Sequence, residues 1–176
     1  MESVGLETGL RRLLNVGSGG DPLPHWLSHF EDVRLDIDPS HSPDILADMR
    51  NMGEIGQFDV VYSSHSLEHL YPHEVSKALR EFYRVLKPGG IVVIFVPDLA
   101  GVVPDDRVLF VSPAGPVSGL DIFYGFRPML EKNPHMAHKM GFVSETLLSF
   151  LENANFQNVQ VKKLDCYNLM GVGAKP

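Results

Sequence analysis

Cysteine is nearly absent: Cys166 is the single one in 176 residues. One thiol excludes an internal disulfide and suits a reducing compartment. Long apolar runs are missing as well. No stretch approaches the roughly 20 apolar residues that a membrane span requires. Basic residues are in the minority, with 15 Lys and Arg against 22 Asp and Glu and a net charge of -7. A nucleic-acid backbone is therefore not expected as the main partner, because phosphate binding needs a basic surface. The start, Met1-Glu2-Ser3-Val4, lacks the basic-then-apolar order of a signal peptide. These absences predict a cytoplasmic protein with no membrane partner; they leave the oligomeric state open. Repeats and low-complexity segments are also missing.

Apolar residues make up 44% of the chain and charged residues 21%, a balance that suits one globular domain over 1–176. Arg12 to Val16 is a short apolar run halted by Gly17-Ser18-Gly19-Gly20, which reads as a strand and a tight turn. Pro22 to Phe30 predicts a short helix with Asp21 as its N-cap. Strands are predicted at Asp32 to Ile37, weakly at Asp44 to Ala47, and at Phe58 to Tyr62, which is rich in β-branched and aromatic residues. Val75, Ala78, Leu79, Phe82 and Leu86 have helical spacing, and Pro88-Gly89-Gly90 is expected to end that helix. Ile91 to Val96 is apolar without alternation, as in a strand covered on both faces. Ser144 is the expected cap of a helix with Leu147, Leu148, Leu151 and Ala154 on its apolar face, and Asn155 is its left-handed terminator. Val159 to Leu164 and Asn168 to Ala174 can form a closing antiparallel pair.

Between these elements, Leu99 to Gly141 has no clean periodicity and holds five of the thirteen prolines. So long an irregular stretch in a compact domain is usually functional. Elsewhere strand and helix alternate, which predicts an α/β protein with a mainly parallel sheet. Such sheets bind ligands at the carboxyl ends of their strands.

Three groups at those ends point to a nucleoside. Gly17, Gly19 and Gly20 let a ligand approach the backbone. The turn is not a dinucleotide fingerprint, since Pro22 stands where glycine is needed, and no Gly-Lys-Ser/Thr follows for a P-loop. A ligand without a pyrophosphate fits better. Asp36 lies nineteen residues beyond Gly17, where a carboxylate accepts from both hydroxyls of a ribose; Asp38 reads as a turn residue. Asp48 can accept from an adenine amine, with Met49 packing on the ring.

Leu13 to Gly20 resembles motif I of S-adenosylmethionine-dependent methyltransferases. Phe58 to Leu70 resembles their fourth-strand motif, and Arg84-Val85-Leu86-Lys87-Pro88-Gly89-Gly90 the turn into strand five. Together these are similar to the methyltransferase type 11-like group. The resemblance implies a Rossmann-like class I methyltransferase fold, a mainly parallel seven-stranded sheet with the last strand antiparallel. It also implies S-adenosyl-L-methionine as cofactor and S-adenosyl-L-homocysteine as product. The cofactor residues it implies are Asn15, Gly17, Ser18, Gly19, Asp36, Ile37, Asp48, Met49, Ser64 and His65. Asn15 replaces the acidic residue that usually begins motif I, and Asp21 its third glycine.

His65-Ser66-Leu67-Glu68-His69 also matches the H-x-x-E-H pattern of a zinc metallopeptidase. That pattern must sit in a helix, whereas here it follows a strand directly, so no metal is expected; Glu68 and His69 are expected to be structural. Candidate catalytic groups are His65, Tyr124 and His138, with His135 a weaker one. Asp121 to Phe126 is expected to wall the acceptor site or to be core. The function expected is methyl transfer to a small-molecule acceptor. The alternative is a non-catalytic nucleoside- or protein-binding module with this fold.

Overall fold

The computed structural model describes residues 11–176; the Met1 to Val4 start lies outside them. In chain order come β1 (Arg12–Val16), β2 (Glu31–Asp36), β3 (Ile45–Leu46), β4 (Phe58–Ser64), α1 (Pro72–Val85), β5 (Leu86–Pro97), β6 (Val108–Ser112) and β7 (Gly115–Ser118). Then follow α2 (Gly119–Tyr124), α3 (Arg127–Leu130), α4 (Ser144–Asn153), β8 (Gln157–Leu164) and β9 (Asn168–Ala174). Seven strands form one sheet in the order β3-β2-β1-β4-β5-β9-β8. Strands β1 to β5 pair in parallel, and β9 runs antiparallel between β5 and β8. The order reverses between β1 and β4, so their carboxyl ends flank a crevice.

Helix α1 forms as its spacing predicts. Pro72 opens it, the Glu74 carboxylate accepts from the Tyr71 amide at 3.0 Å, and Val75, Ala78, Leu79, Phe82 and Val85 are buried. Together with Leu147 and Leu151 of α4 they cover one sheet face, against Leu14, Val16, Val61, Val92 and Ile94. The other face gathers Leu13, Val60, Tyr62 and Val93 beneath Leu23, Leu27 and Phe30. No α-helical residue belongs to that second cluster among the described residues.

Four local expectations change. The helix predicted from Pro22 to Phe30 is a single 3-10 turn, His25–Leu27, with Pro24 rather than Asp21 at its N-cap. Pro24 holds the preceding chain extended, and only Leu27 of the turn is buried. Leu86 belongs to the sheet, pairing with Phe58, and Lys87 to Gly90 form a bulge before Ile91 pairs with Val60. A Cβ on Gly90 would lie 2.9 Å from the Lys87 carbonyl oxygen, so only glycine fits that bulge. Ser144 is the first residue of α4, with Val143 at the cap position. Asn155 does take the left-handed conformation, at φ 72°.

The segment from 99 to 141 is largely structured. It contains the β6–β7 hairpin, α2 and α3, packed around Val102, Val117 and Ile122 with Phe110, Phe123 and Phe126. These three aromatics are therefore core of a small cluster, whereas Tyr124 is exposed. The segment begins and ends at one point, because the Leu99 amide donates to the Phe142 carbonyl at 2.9 Å.

Candidate active site

The turn after β1 is held from three sides. The Gly17 amide donates to the Leu35 carbonyl of β2 at 2.8 Å. Gly17 has φ +67°, and a Cβ there would lie 2.3 Å from Ser66 Oγ. Its glycine is thus required as much by Ser66 as by any ligand. Gly19 also has positive φ, but nothing lies within 4 Å of its missing Cβ, nor of that of Gly20. These two glycines leave open space over the backbone. Ser18 Oγ is buried beside them without a hydrogen-bond partner.

Asp36 closes the turn from the end of β2. It is 7% exposed and accepts from the Gly19 amide at 2.8 Å and the Asp38 amide at 2.9 Å. Oδ1 keeps a second lone pair for a ligand hydroxyl, while Oδ2 also faces His41 Nδ1 at 3.5 Å. Ile37, next in the chain, is 65% exposed, an uncovered apolar face at the strand end. Asp38 caps its own turn, accepting from the Ser40 amide at 2.8 Å, which fits its reading as a turn residue. Arg34 donates to the Gly19 carbonyl; its place two residues before Asp36 carries no sequence signal for that contact.

The remaining positions differ in character. Asn15 is buried in β1, facing Asp32 across the strand pair. The Asp48 carboxylate is clasped by Arg50, whose Nε lies 2.9 Å from Oδ1 and which also binds Glu74. That guanidinium holds the Asp48 carboxyl below the usual carboxylate range. Met49 is half-buried, with its methyl 3.7 Å from where a Gly17 Cβ would stand. Ser64 ends β4, and its carbonyl accepts from Ser66 Oγ at 3.1 Å. Ser66, a residue without a motif role, therefore joins the β1 turn to the β4 end.

His65 follows in a left-handed conformation, φ 51°, with its amide on the Phe95 carbonyl at 2.9 Å. A non-glycine residue there is uncommon, and such strain clusters at functional sites. The strand therefore releases the ring sideways, half-exposed, with Nδ1 3.3 Å from Glu68 Oε1. Desolvation pulls this imidazole down, but Glu68 outweighs it and raises the ring above its ordinary value. Burial pushes Glu68 up in turn, but the neighbouring His65, with His69 and His138 beyond it, outweighs that and lowers the carboxyl.

His138 arrives from the 99–141 segment, its amide on the Tyr124 carbonyl at 3.1 Å. Burial holds its ring below the ordinary histidine value. The structure thus brings His65 and His138 to the same carboxylate, while Tyr124 joins them through its backbone. His135 stays outside the group, in an exposed 3-10 turn. A surface cavity of about 360 Å³ lies elsewhere, lined by Asp106, Ser118, Asp121 and Arg127. Its charged groups pair with one another.

Residues 14–94 match the methyltransferase type 11 family, described as Methyltransferase domain. The match spans a little under half of the chain, from β1 to β5. Solved structures agree on the fold. A SAM-dependent methyltransferase from Archaeoglobus fulgidus is 18% identical with a TM-score of 0.67, over 95% of this chain and 87% of that one. One from Mesorhizobium loti is 17% identical with a TM-score of 0.65, over 96% and 93%. PigF, solved with SAH, is 16% identical with a TM-score of 0.65; the match covers 95% of this chain but 51% of PigF. Among curated proteins no match is found. The geometry at this strand end suits S-adenosylmethionine: open space at Gly19 and Gly20, the unpartnered Ser18 Oγ, the Asp36 carboxylate and the bare face of Ile37.

Proposed function

We propose that this methyltransferase transfers a methyl group to a small-molecule acceptor at the mouth between the β1 turn and His138. The carrying observation is the buried Asp36 carboxylate, oriented by Gly19 and Asp38 beside an uncovered Ile37. Asp36 holds the ribose of the cofactor, Ile37 and Met49 pack on its adenine, and Asp48 accepts from the adenine amine. Gly17, Ser18 and Gly19 receive the amino-acid end, with Asn15 and Ser64 supporting the strand ends beneath it. The bound sulfonium supplies an activated methyl group, so the protein's task is to hold the acceptor in line with it and exclude water. His65 takes the proton that an oxygen or nitrogen acceptor loses. Tyr124 and His138 form the acceptor wall.

Calorimetric titration with S-adenosylmethionine and S-adenosylhomocysteine tests the reading. Both should bind the folded chain. Asp36→Ala should weaken binding by about 1.5–3 kcal/mol, the scale of a charge-assisted hydrogen bond. No heat from either ligand with the folded protein would overturn the enzyme reading and favour a module that does not bind nucleosides.

A further inference from the structure

Glu68 is 1% exposed, and neither carboxylate oxygen has a hydrogen-bond partner. An ionised carboxylate in that position is costly unless a cation or strong donors compensate it. His65 comes near, yet its Nδ1 is not aligned as a hydrogen bond to Oε1.

Two further imidazoles face the same carboxylate. His69 Nδ1 lies 3.3 Å from the Ala137 carbonyl oxygen, and His138 Nδ1 lies 2.8 Å from the Ile122 carbonyl oxygen. A carbonyl only accepts, so both Nδ1 atoms carry the proton. In the neutral rings Nε2 is then left with its lone pair. Metal-binding histidines are oriented in this way, with the far N–H on a carbonyl or carboxylate. The two rings stand 5.2 Å apart at 59°, inclined rather than stacked. One ligating atom from each of Glu68, His69 and His138 lies within 4.8 Å of the others.

We propose that Glu68, His69 and His138 bind a divalent first-row transition-metal ion, with zinc the best fit to a two-histidine, one-carboxylate set. The ligand set differs from the one the sequence suggests, because His138 replaces His65. The objection that the H-x-x-E-H pattern is not helical therefore does not apply. Glu68 and His69 are adjacent on one 3-10 turn, Leu67–His69. His138 is brought to them from sixty-nine residues away, because the Lys139 and Met140 amides both donate to the Glu68 carbonyl, at 2.8 and 3.2 Å. Three protein ligands leave coordination positions open, as in metal sites that receive water or a substrate atom. The ion would tie the 99–141 segment to the end of β4 beside His65. This inference does not depend on the acceptor assignment.

The test uses the full chain stripped with a chelator and titrated with Co²⁺ as a visible probe, then with Zn²⁺ in a thermal melt. One equivalent of Co²⁺ should produce ligand-field bands, Zn²⁺ should abolish them, and Zn²⁺ should raise the melting midpoint. His138→Gln should lower the affinity by about 100-fold or more, and Glu68→Gln should do the same. The exposed His29→Ala variant should bind as the parent does. Circular dichroism separates a variant that binds no metal from one that does not fold; should Glu68→Gln fail to fold, His138→Gln decides. Absence of both bands and thermal shift in the parent at large metal excess overturns the site. So does full binding retained in folded His138→Gln. Titrating S-adenosylmethionine into the same metal-free samples keeps failure here distinct from failure of the cofactor reading.

Discussion

At the scale of single residues, two glycines of one turn do different work. Gly17 cannot carry a Cβ, because Ser66 Oγ would be 2.3 Å away and φ is +67°. Gly19 has φ +52° with open space around it. Gly17→Ala should therefore destabilise the fold by about 2–4 kcal/mol, combining steric overlap with left-handed strain. Gly19→Ala should cost about 1 kcal/mol from strain alone and weaken the cofactor more than the fold. Urea unfolding and calorimetry on both variants separate these effects; equal stability losses would refute the assignment. The motif identifies both glycines, but nothing in the sequence says that Ser66, forty-nine residues on, presses against only the first. His138 is similar. Its residue type marks it as a candidate, and only folding places it against Glu68.

At the scale of elements, α2 depends on charge. Its N-cap Ser118 accepts from the Asp121 amide, and the Asp121 carboxylate accepts from the Ser118 amide at 2.9 Å and from Arg127 Nε at 2.8 Å. Burial pushes Asp121 up, but Arg127 and Ser118 outweigh it and hold the carboxyl well below the usual carboxylate range. A carboxyl lowered on folding stabilises the folded form above its unfolded value, about 3.9, and that contribution is lost as pH falls further. The hairpin and α2 should accordingly loosen in acid before the main sheet does. Asp121→Asn should reproduce the loosening at neutral pH. Amide exchange in residues 108–124 reads it; unchanged exchange in the variant would show that the ion pair does not hold the element. Helix α1 is legible from its spacing because fourteen residues give a full apolar face. β6, β7, α2 and α3 are short and are broken up by Pro113, Gly115, Pro116, Gly119, Gly125 and Pro128, so no periodicity registers and this segment reads as irregular in the sequence.

For the molecule as a whole, the layers are unequal among the described residues. α1 and α4 cover one sheet face, while the other is closed by a 3-10 turn and its flanking apolar side chains. The 99–141 segment has an apolar cluster of its own, joined to the sheet at Asp98 and Phe142, to the 67–69 turn at Glu68 and to the β8–β9 turn through Tyr167 on Phe110. A unit with its own small core opens independently of the main sheet. Exchange in β1, β4 and β5 should track global unfolding, and exchange in 99–141 should be faster at every denaturant concentration. Coincident rates would mean one cooperative unit. Bound cofactor should slow amides at Gly17 to Gly20 and Asp36 to Asp38 without slowing those of β6 and β7.

The sequence alone determined the class of the molecule: alternating strands and helices, a glycine turn after β1, an acidic residue at the end of β2, and the motifs after β4 and before β5. These signals are local, carried by spacing, strand chemistry and positive φ, and they survive being read one segment at a time. The tertiary structure decided which of eight histidines gather at Glu68. It did so by closing Leu99 onto Phe142 and laying residues 139 and 140 on the Glu68 carbonyl. That juxtaposition comes from backbone hydrogen bonds between residues 43 to 72 positions apart, to which periodicity and motif spacing are blind.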